Sequence, residues 1–241
     1  MFQTDPFTLI ILLVGLSLVA FVAMIATSYL KLVVVMSLIR NALGIQSIPP
    51  NMVINALAMI LTFYIMAPVC QSSWDIIKAE RQAQQEHKQA VQTAAPGNAT
   101  VPGQPSMPPL TSLETDMVKK AAEPFRAWLL RQSGERERAF FVNTAARLWA
   151  KDGEDEAEVN PESFFILIPS FCVGELTKAF QIGFLVYLPF IAIDIIVSNI
   201  LLAMGMMMVS PVTISLPFKL LLFVMVDGWS LLIQGLVRSY A

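Results

Sequence analysis

The sequence predicts an all-α, membrane-protein-like fold: two long hydrophobic helical hairpins, residues 1–70 and 164–241, with a polar helical insertion, residues 71–163, between them. Three observations predict it. Hydrophobic residues make up 56% of the 241 and charged residues only 14%, where an ordinary soluble domain carries about 25% charged residues. Uncharged runs long enough to cross a ~30 Å hydrocarbon layer as helices recur in the chain. Most of the charges, and the single histidine, His87, are gathered in the middle segment.

The same composition excludes several classes. A net charge of −2 without a basic face argues against nucleic acid. Two cysteines, Cys70 and Cys172, are too few and too far apart for a disulfide scaffold or a zinc site. They flank the insertion, which leaves a Cys70–Cys172 disulfide open, but free thiols in apolar segments are the commoner case. His87 has no Cys or His near it and reads as a surface residue. No cofactor or metal is implied.

Taken in order, the chain has no charged side chain from Phe7 to Leu30, then passes through Lys31 into Leu32–Ile39 before it meets Arg40. One continuous helix is expected over this stretch. With no basic residue ahead of it and no small-residue cleavage site, the run reads as a retained segment and not a signal peptide. Lys31 is a cation embedded in it, and either snorkels to water or finds an anion. Gly44 can end the helix, Pro49 and Pro50 forbid its continuation, and Asn51 can cap the next one. That second helix runs uncharged from Met52 to about Val69, where Pro68 marks its end. Arg40 is the only charge in the connection and the N-terminus offers only Asp5, which places the connection in the cytoplasm.

Within the insertion, Asp75–Gln92 is polar, Gln-rich and helix-prone, and residues 95–109 form a Pro/Gly-rich flexible linker. The Asn98-Ala99-Thr100 sequon matters only in a eukaryotic secretory pathway. Leu113–Leu130 and Glu135–Trp149 are amphipathic and split by Ser133-Gly134, which predicts a small helical hairpin. Lys151–Glu162 is an acidic loop whose DGEDE string lacks the alternating oxygens and the sixth-position glycine of a calcium loop.

Phe164–Val209 exceeds one simple span, and Pro169, Gly174, Gly183 and Pro189 are places where it can bend or break. Ser170 with Gly174 and Ala179 with Gly183 are small residues at four-residue spacing, which permits close helix approach. Glu175 and Lys178 lie three apart on one helix face and can pair with each other or reach a neighbouring subunit. Asp194, among isoleucines, has no local partner and must be protonated, hydrated or paired with a distant cation such as Lys31 or Lys219. Phe218–Val237 is the fourth hydrophobic segment, interrupted by Lys219 and by Asp227-Gly228-Trp229. Helices so studded with ionisable groups pack mainly against protein.

Between the last two segments lies a Met-rich turn, residues 203–211, with Met204, Met206, Met207 and Met208 almost back to back. Methionine is unbranched and polarizable, so a group of them makes a soft apolar surface that yields and closes again. The plain alternative is that a chain with 13 methionines filled a buried turn with them.

Three motif blocks carry a resemblance: RNALG followed by PPN, then GELTKAFQIGFLVYLPFIAIDIIVSNILLAMGMMM, then SPVTISLPFKLLLFVMVDGW. They closely resemble the FliP/YscR family, the P subunit of the flagellar export gate and the R subunit of injectisome type III secretion. The resemblance covers roughly residues 27–69 and 164–233, and with no leader ahead of the first helix the chain looks more like the injectisome branch. It implies a helical, conical assembly of about five copies with a small hairpin subunit and a related larger subunit. It also implies a bacterial inner-membrane location, a periplasmic insertion, and unfolded secreted proteins as the cargo. By the same resemblance, Met206, Met207 and Met208, supported by Met204, form a ring that seals the channel. Lys31, Glu175, Lys178, Asp194, Lys219 and Asp227 would then be buried pairs between helices or subunits.

Two other functions compete on the residues alone. A proton- or ion-coupled transporter would use Asp194 with Lys31 or Lys219 as a relay, but no inverted repeat relates the two halves. An intramembrane enzyme lacks a His-Glu metal motif, a paired acid and base, or a serine with a nearby histidine.

Overall fold

In a computed structural model, the described residues are 6–45, 48–93, 110–150, 158–206 and 208–240. They form eight α-helices: α1 (Pro6–Ile25), α2 (Tyr29–Ala42), α3 (Asn51–Thr93), α4 (Leu110–Gln132), α5 (Glu135–Leu148), α6 (Phe164–Ala203), α7 (Pro211–Met225) and α8 (Gly228–Arg238). No strand occurs among the described residues, so the all-α class holds. The linker 95–109, the sequon within it, the acidic string at 152–156 and Met207 lie outside the described residues. The chain divides into two compact units, residues 1–66 with 132–241 and residues 67–131.

The first unit is built around α2. Leu32, Val35, Met36, Ile39 and Ala42 recur at three- and four-residue spacing, and all are buried. Around them close Ile54 and Ala58 of α3, Ala179 and Phe190 of α6, Phe223 of α7 and Leu236 of α8. Each of the larger side chains taken from water, the alanines aside, contributes about 1.5–3 kcal/mol, which explains why a helix of only 14 residues can anchor the unit. The main partner of α2 is α6, which also carries α5 and α7. Small residues, Ser170, Gly174, Ala179 and Gly183, are all buried along α6, with Gly183 set against Leu38 of α2 and Gly174 against the Gly134 backbone.

The expected first helix is in fact two, broken at Ala26–Ser28. Thr27 turns its hydroxyl back to the Met24 carbonyl at 3.3 Å, the local competition by which Ser and Thr disturb a helix. The two pieces also differ in surroundings, because none of the apolar window of α1 is buried whereas α2 is the core. Gly44 ends α2 at φ +78, as its missing Cβ allows. Asn51 is the first residue of α3 and not a cap outside it, and its side chain accepts from Arg40 instead.

The end expected at Pro68 does not occur, nor does a break at Pro169 or Pro189. α3 runs through Pro68 for 43 residues, and α6 runs unbroken through Pro169 and Pro189 for 40. A proline removes one ladder hydrogen bond, to the carbonyl four residues back. Those positions, Tyr64, Phe165 and Leu185, are all exposed, so the loss falls on the outer face while the packed face stays helical. At about 1.5 Å per residue α6 is roughly 60 Å long, twice a hydrocarbon layer. α1, residues 51–83 of α3, and α6 are each long and apolar enough to cross a membrane, and α7 with α8 form a fourth candidate bent by 59°.

That elbow is shaped by aromatic packing. The Phe223 ring lies edge-on to Trp229 at 5.5 Å and tilted against Phe190 at 6.3 Å. A Cβ on Gly228 would come within 2.7 Å of the Phe223 Cζ, so that ring has to shift from its contacts with Phe190 and Trp229. Gly228→Ala is therefore expected to cost about 1–3 kcal/mol by overpacking, visible as a lowered thermal unfolding midpoint in detergent.

The helical hairpin expected of residues 113–149 is divided between the units: α5 packs on α6 in the first, and α4 belongs mostly to the second. In the second unit Phe125 stacks on Trp128 at 6.1 Å, Trp128 and Leu129 are buried, and Lys120 pairs with Glu80 at 2.5 Å.

Candidate functional site

Apart from Asp227, the described residues singled out in the sequence fall into two ion clusters, one buried and one partly buried, at the two ends of α2, and one exposed turn. At the N-terminal end, α2 carries Lys31 inward at 1% exposure, and α6 presents Glu175, fully buried, opposite it. Lys31 Nζ lies 3.0 Å from Glu175 Oε2, and Lys178 Nζ lies 2.9 Å from Glu175 Oε1. The Tyr240 hydroxyl donates to the same Oε2, and the Lys31 ammonium sits 3.6 Å from the centre of the Tyr240 ring. The carboxylate thus faces two cations and a phenol, and the cation also gains the face of an aromatic ring. Lys178, half-exposed, donates as well to the Gln132 carbonyl at 3.1 Å, where a cation suits the end of α4. Burial, and then the Glu175 charge, push the Tyr240 phenol above its ordinary range, so it remains a proton donor at any physiological pH.

At the other end, Asp194 of α6 meets α7. Lys219 Nζ is 2.6 Å from Asp194 Oδ2, and the Ser215 hydroxyl donates to Asp194 Oδ1 at 2.6 Å. Ser215 and Lys219 are four apart and share one helical face, so α7 delivers both donors together. Lys219 also lies 3.4 Å from the carbonyl of Ala42, the last residue of α2, where a cation complements the helix dipole. Lys31 and Lys219, the two candidate partners for Asp194, therefore go to different ends of α2. Asp227 joins neither cluster. It is exposed at the α7–α8 elbow, with φ 51, a left-handed conformation that Asp tolerates better than most residues.

The methionine turn is built to protrude. α6 ends on Met204, after which Gly205 at φ +74 donates to the Leu202 carbonyl and Met206 donates to that of Leu201, each at 3.0 Å. These are the paired bonds of a Schellman stop, for which Gly205 is the required residue. Pro211 then starts α7 at a position where no amide hydrogen is needed. Between the two helices Met204, Met206 and Met208 stand exposed at 65%, 41% and 101%. Within a single chain they therefore fill no buried turn. Cys70 and Cys172 are both free.

Sequence reasoning missed Tyr240, Ser215 and Ser28. Ser215 had a usable signal, one helical turn before Lys219. Tyr240 had none, since only the tertiary fold brings it 65 residues back to Glu175.

The family model described as the FliP family matches residues 12–236. The chain belongs to the FliP family. Among similar proteins, Yop proteins translocation protein R of Yersinia pestis is 47% identical over 238 residues, covering 98% of this chain and 97% of that protein. Virulence protein YscR of Salmonella typhimurium is 44% identical, covering 98% of each chain. Hypersensitivity response secretion protein HrcR of Ralstonia nicotianae is 42% identical, covering 97% of this chain and 96% of that protein. These relatives are of the injectisome branch of the FliP family, as expected of this chain. The matched span takes in both ion clusters except Tyr240, and the whole methionine turn.

Proposed function

We propose that this chain is a non-enzymatic, pore-forming subunit of a type III protein export gate in the bacterial inner membrane. The observation that carries the reading is the methionine turn: the thioether side chains of Met204, Met206 and Met208 are exposed at the tip of two apolar helices, uncovered by the described residues of their own chain. About five copies, joined by a small hairpin subunit and a related larger one, would bring these turns to a common axis. There Met206, Met207 and Met208, with Met204 behind them, close the conduit. Unfolded cargo of any sequence must pass a closure that does not leak ions, and a deformable apolar collar meets both demands where a rigid polar filter meets neither.

The organisation that goes with this reading has residues 1–70 and 164–241 as hydrophobic helical arms and residues 71–163 as a periplasmic insertion. Supporting it, the ionisable groups of the apolar helices are neutralised mostly within the chain, which frees those helices for apolar packing against other subunits. Replacing Met206, Met207 and Met208 together by alanine is expected to raise the resting ion conductance of membranes carrying the assembled complex. An unchanged conductance with the complex intact refutes the seal.

A further inference from the structure

The methionine turn is held at its two roots. None of the described residues covers Met204, Met206 or Met208, so the helices on either side set the direction in which they point. At the α6 root the stop at Gly205 fixes the backbone. The α7 root is held less firmly by its own backbone. Ser210 gives the helix no side-chain cap, and Pro217 has no amide hydrogen to offer the Thr213 carbonyl.

Side chains hold that root instead. Ser215 and Lys219 present their donors on one face of α7, and the two oxygens of Asp194 take one each, both at 2.6 Å. Ser215 is fully buried, and its single proton goes to this contact in preference to the Val212 carbonyl, farther away at 3.2 Å. A carboxylate gripped at two points one helical turn apart resists rotation of α7 about its axis, because a rotation that moves one donor away moves the other with it. The end of α2 bears on the same stretch from another side. Lys219 reaches the Ala42 carbonyl, and a Cβ built on Gly44 would stand 3.9 Å from Val212 Cγ1, in the first turn of α7.

We propose, on the reading of the turn as a seal, that Asp194 is a positioning residue for it: through Ser215 and Lys219 it fixes the rotation of α7, and with it the direction of Met208, three residues ahead of Pro211. The carboxylate touches no cargo. Its loss turns the collar out of register while leaving every methionine in place.

The test is disulfide crosslinking between copies in the assembled complex in native membranes. The full-length chain carries Met208→Cys with Cys70→Ser and Cys172→Ser, and copper phenanthroline is the oxidant. This parent is expected to form 208–208 dimers. Asp194→Leu with Lys219→Met keeps apolar groups where the pair stood and loses the directional grip, and is expected to slow dimer formation roughly tenfold. Ser215→Ala, which leaves the ion pair in place, is expected to slow it by a smaller factor. The same exchange at the other cluster, Glu175→Leu with Lys31→Met, is expected to change nothing. Recovery of the complex in mild detergent shows which variants assemble, and Ser215→Ala decides if the double variant does not. Crosslinking at the parent rate in the assembled Asp194 and Ser215 variants overturns the positioning role and leaves the seal standing, and so does an equal fall in the Glu175 variant. A parent that forms no 208–208 dimers overturns the seal itself, and the positioning role with it.

Discussion

Glu175→Ala is expected to cost about 3–5 kcal/mol, enough to consume much of the ~5–15 kcal/mol by which a typical domain is stable. The reason is what it leaves behind. Lys31 is 1% exposed, and without the carboxylate its ammonium keeps only the face of the Tyr240 ring, a contact of about 2 kcal/mol when desolvated. Lys178 suffers less, since it is half-exposed and retains the Gln132 carbonyl. The expected result is a collapse in the amount of folded chain recovered from membranes and a lowered unfolding midpoint in detergent.

The mechanism is separable from a simple loss of packing by removing the cation as well. The double variant Glu175→Leu with Lys31→Met buries apolar groups of similar size where the ion pair stood. Such replacements are often neutral or stabilising, so the double variant is expected to melt near the parent and far above Glu175→Ala. A double variant as unstable as the single one would show that the carboxylate is needed for something other than holding Lys31.

The elements of this fold were legible wherever composition changes sharply along the chain. Long apolar runs announced α1, α6 and the first half of α3, and Ser133-Gly134 marked the gap between α4 and α5. Continuity was harder to read. Pro68 looked like an end, and Pro169 and Pro189 like places to bend or break, because a sequence does not show that the hydrogen bond they remove lies on an exposed face. The converse error occurred at Ala26–Ser28, where a seamless apolar run hid a break that depends on tertiary surroundings.

The site divided in the same way. The Glu175 and Lys178 contact lies within one helical turn and is implied by three-residue spacing. Asp194 was left protonated, hydrated or paired with a cation such as Lys31 or Lys219, because choosing among these requires knowing that the two lysines occupy opposite ends of α2. The participation of Tyr240 carried no local trace. Local pattern therefore identifies which groups need partners, and the packing of α2 against α6 decides which partners they receive.

That packing can be tested at its closest point. A Cβ built on Gly183 would lie 3.3 Å from the Leu38 Cβ and 3.4 Å from its Cγ, and nearer still to Cδ1. Gly183→Ala sets two effects against each other: alanine is favoured over glycine in a helix by about 1 kcal/mol, while Leu38 must turn aside. Leu38 is only partly buried and has somewhere to go, so the alanine variant is expected to melt close to the parent. Gly183→Val is different. Its branch adds two methyl groups where one Cβ is already tight, and a turn of the Leu38 side chain no longer clears them, so α2 and α6 must separate. The expected cost is about 1–3 kcal/mol, and more if the separation reaches the ion pairs at the two ends of α2. Leu38→Ala should then rescue Gly183→Val, giving a coupling of about 0.5–3 kcal/mol in a double-mutant cycle of unfolding in detergent. Additive costs would mean that Gly183 and Leu38 do not meet, and that α2 approaches α6 along a different line.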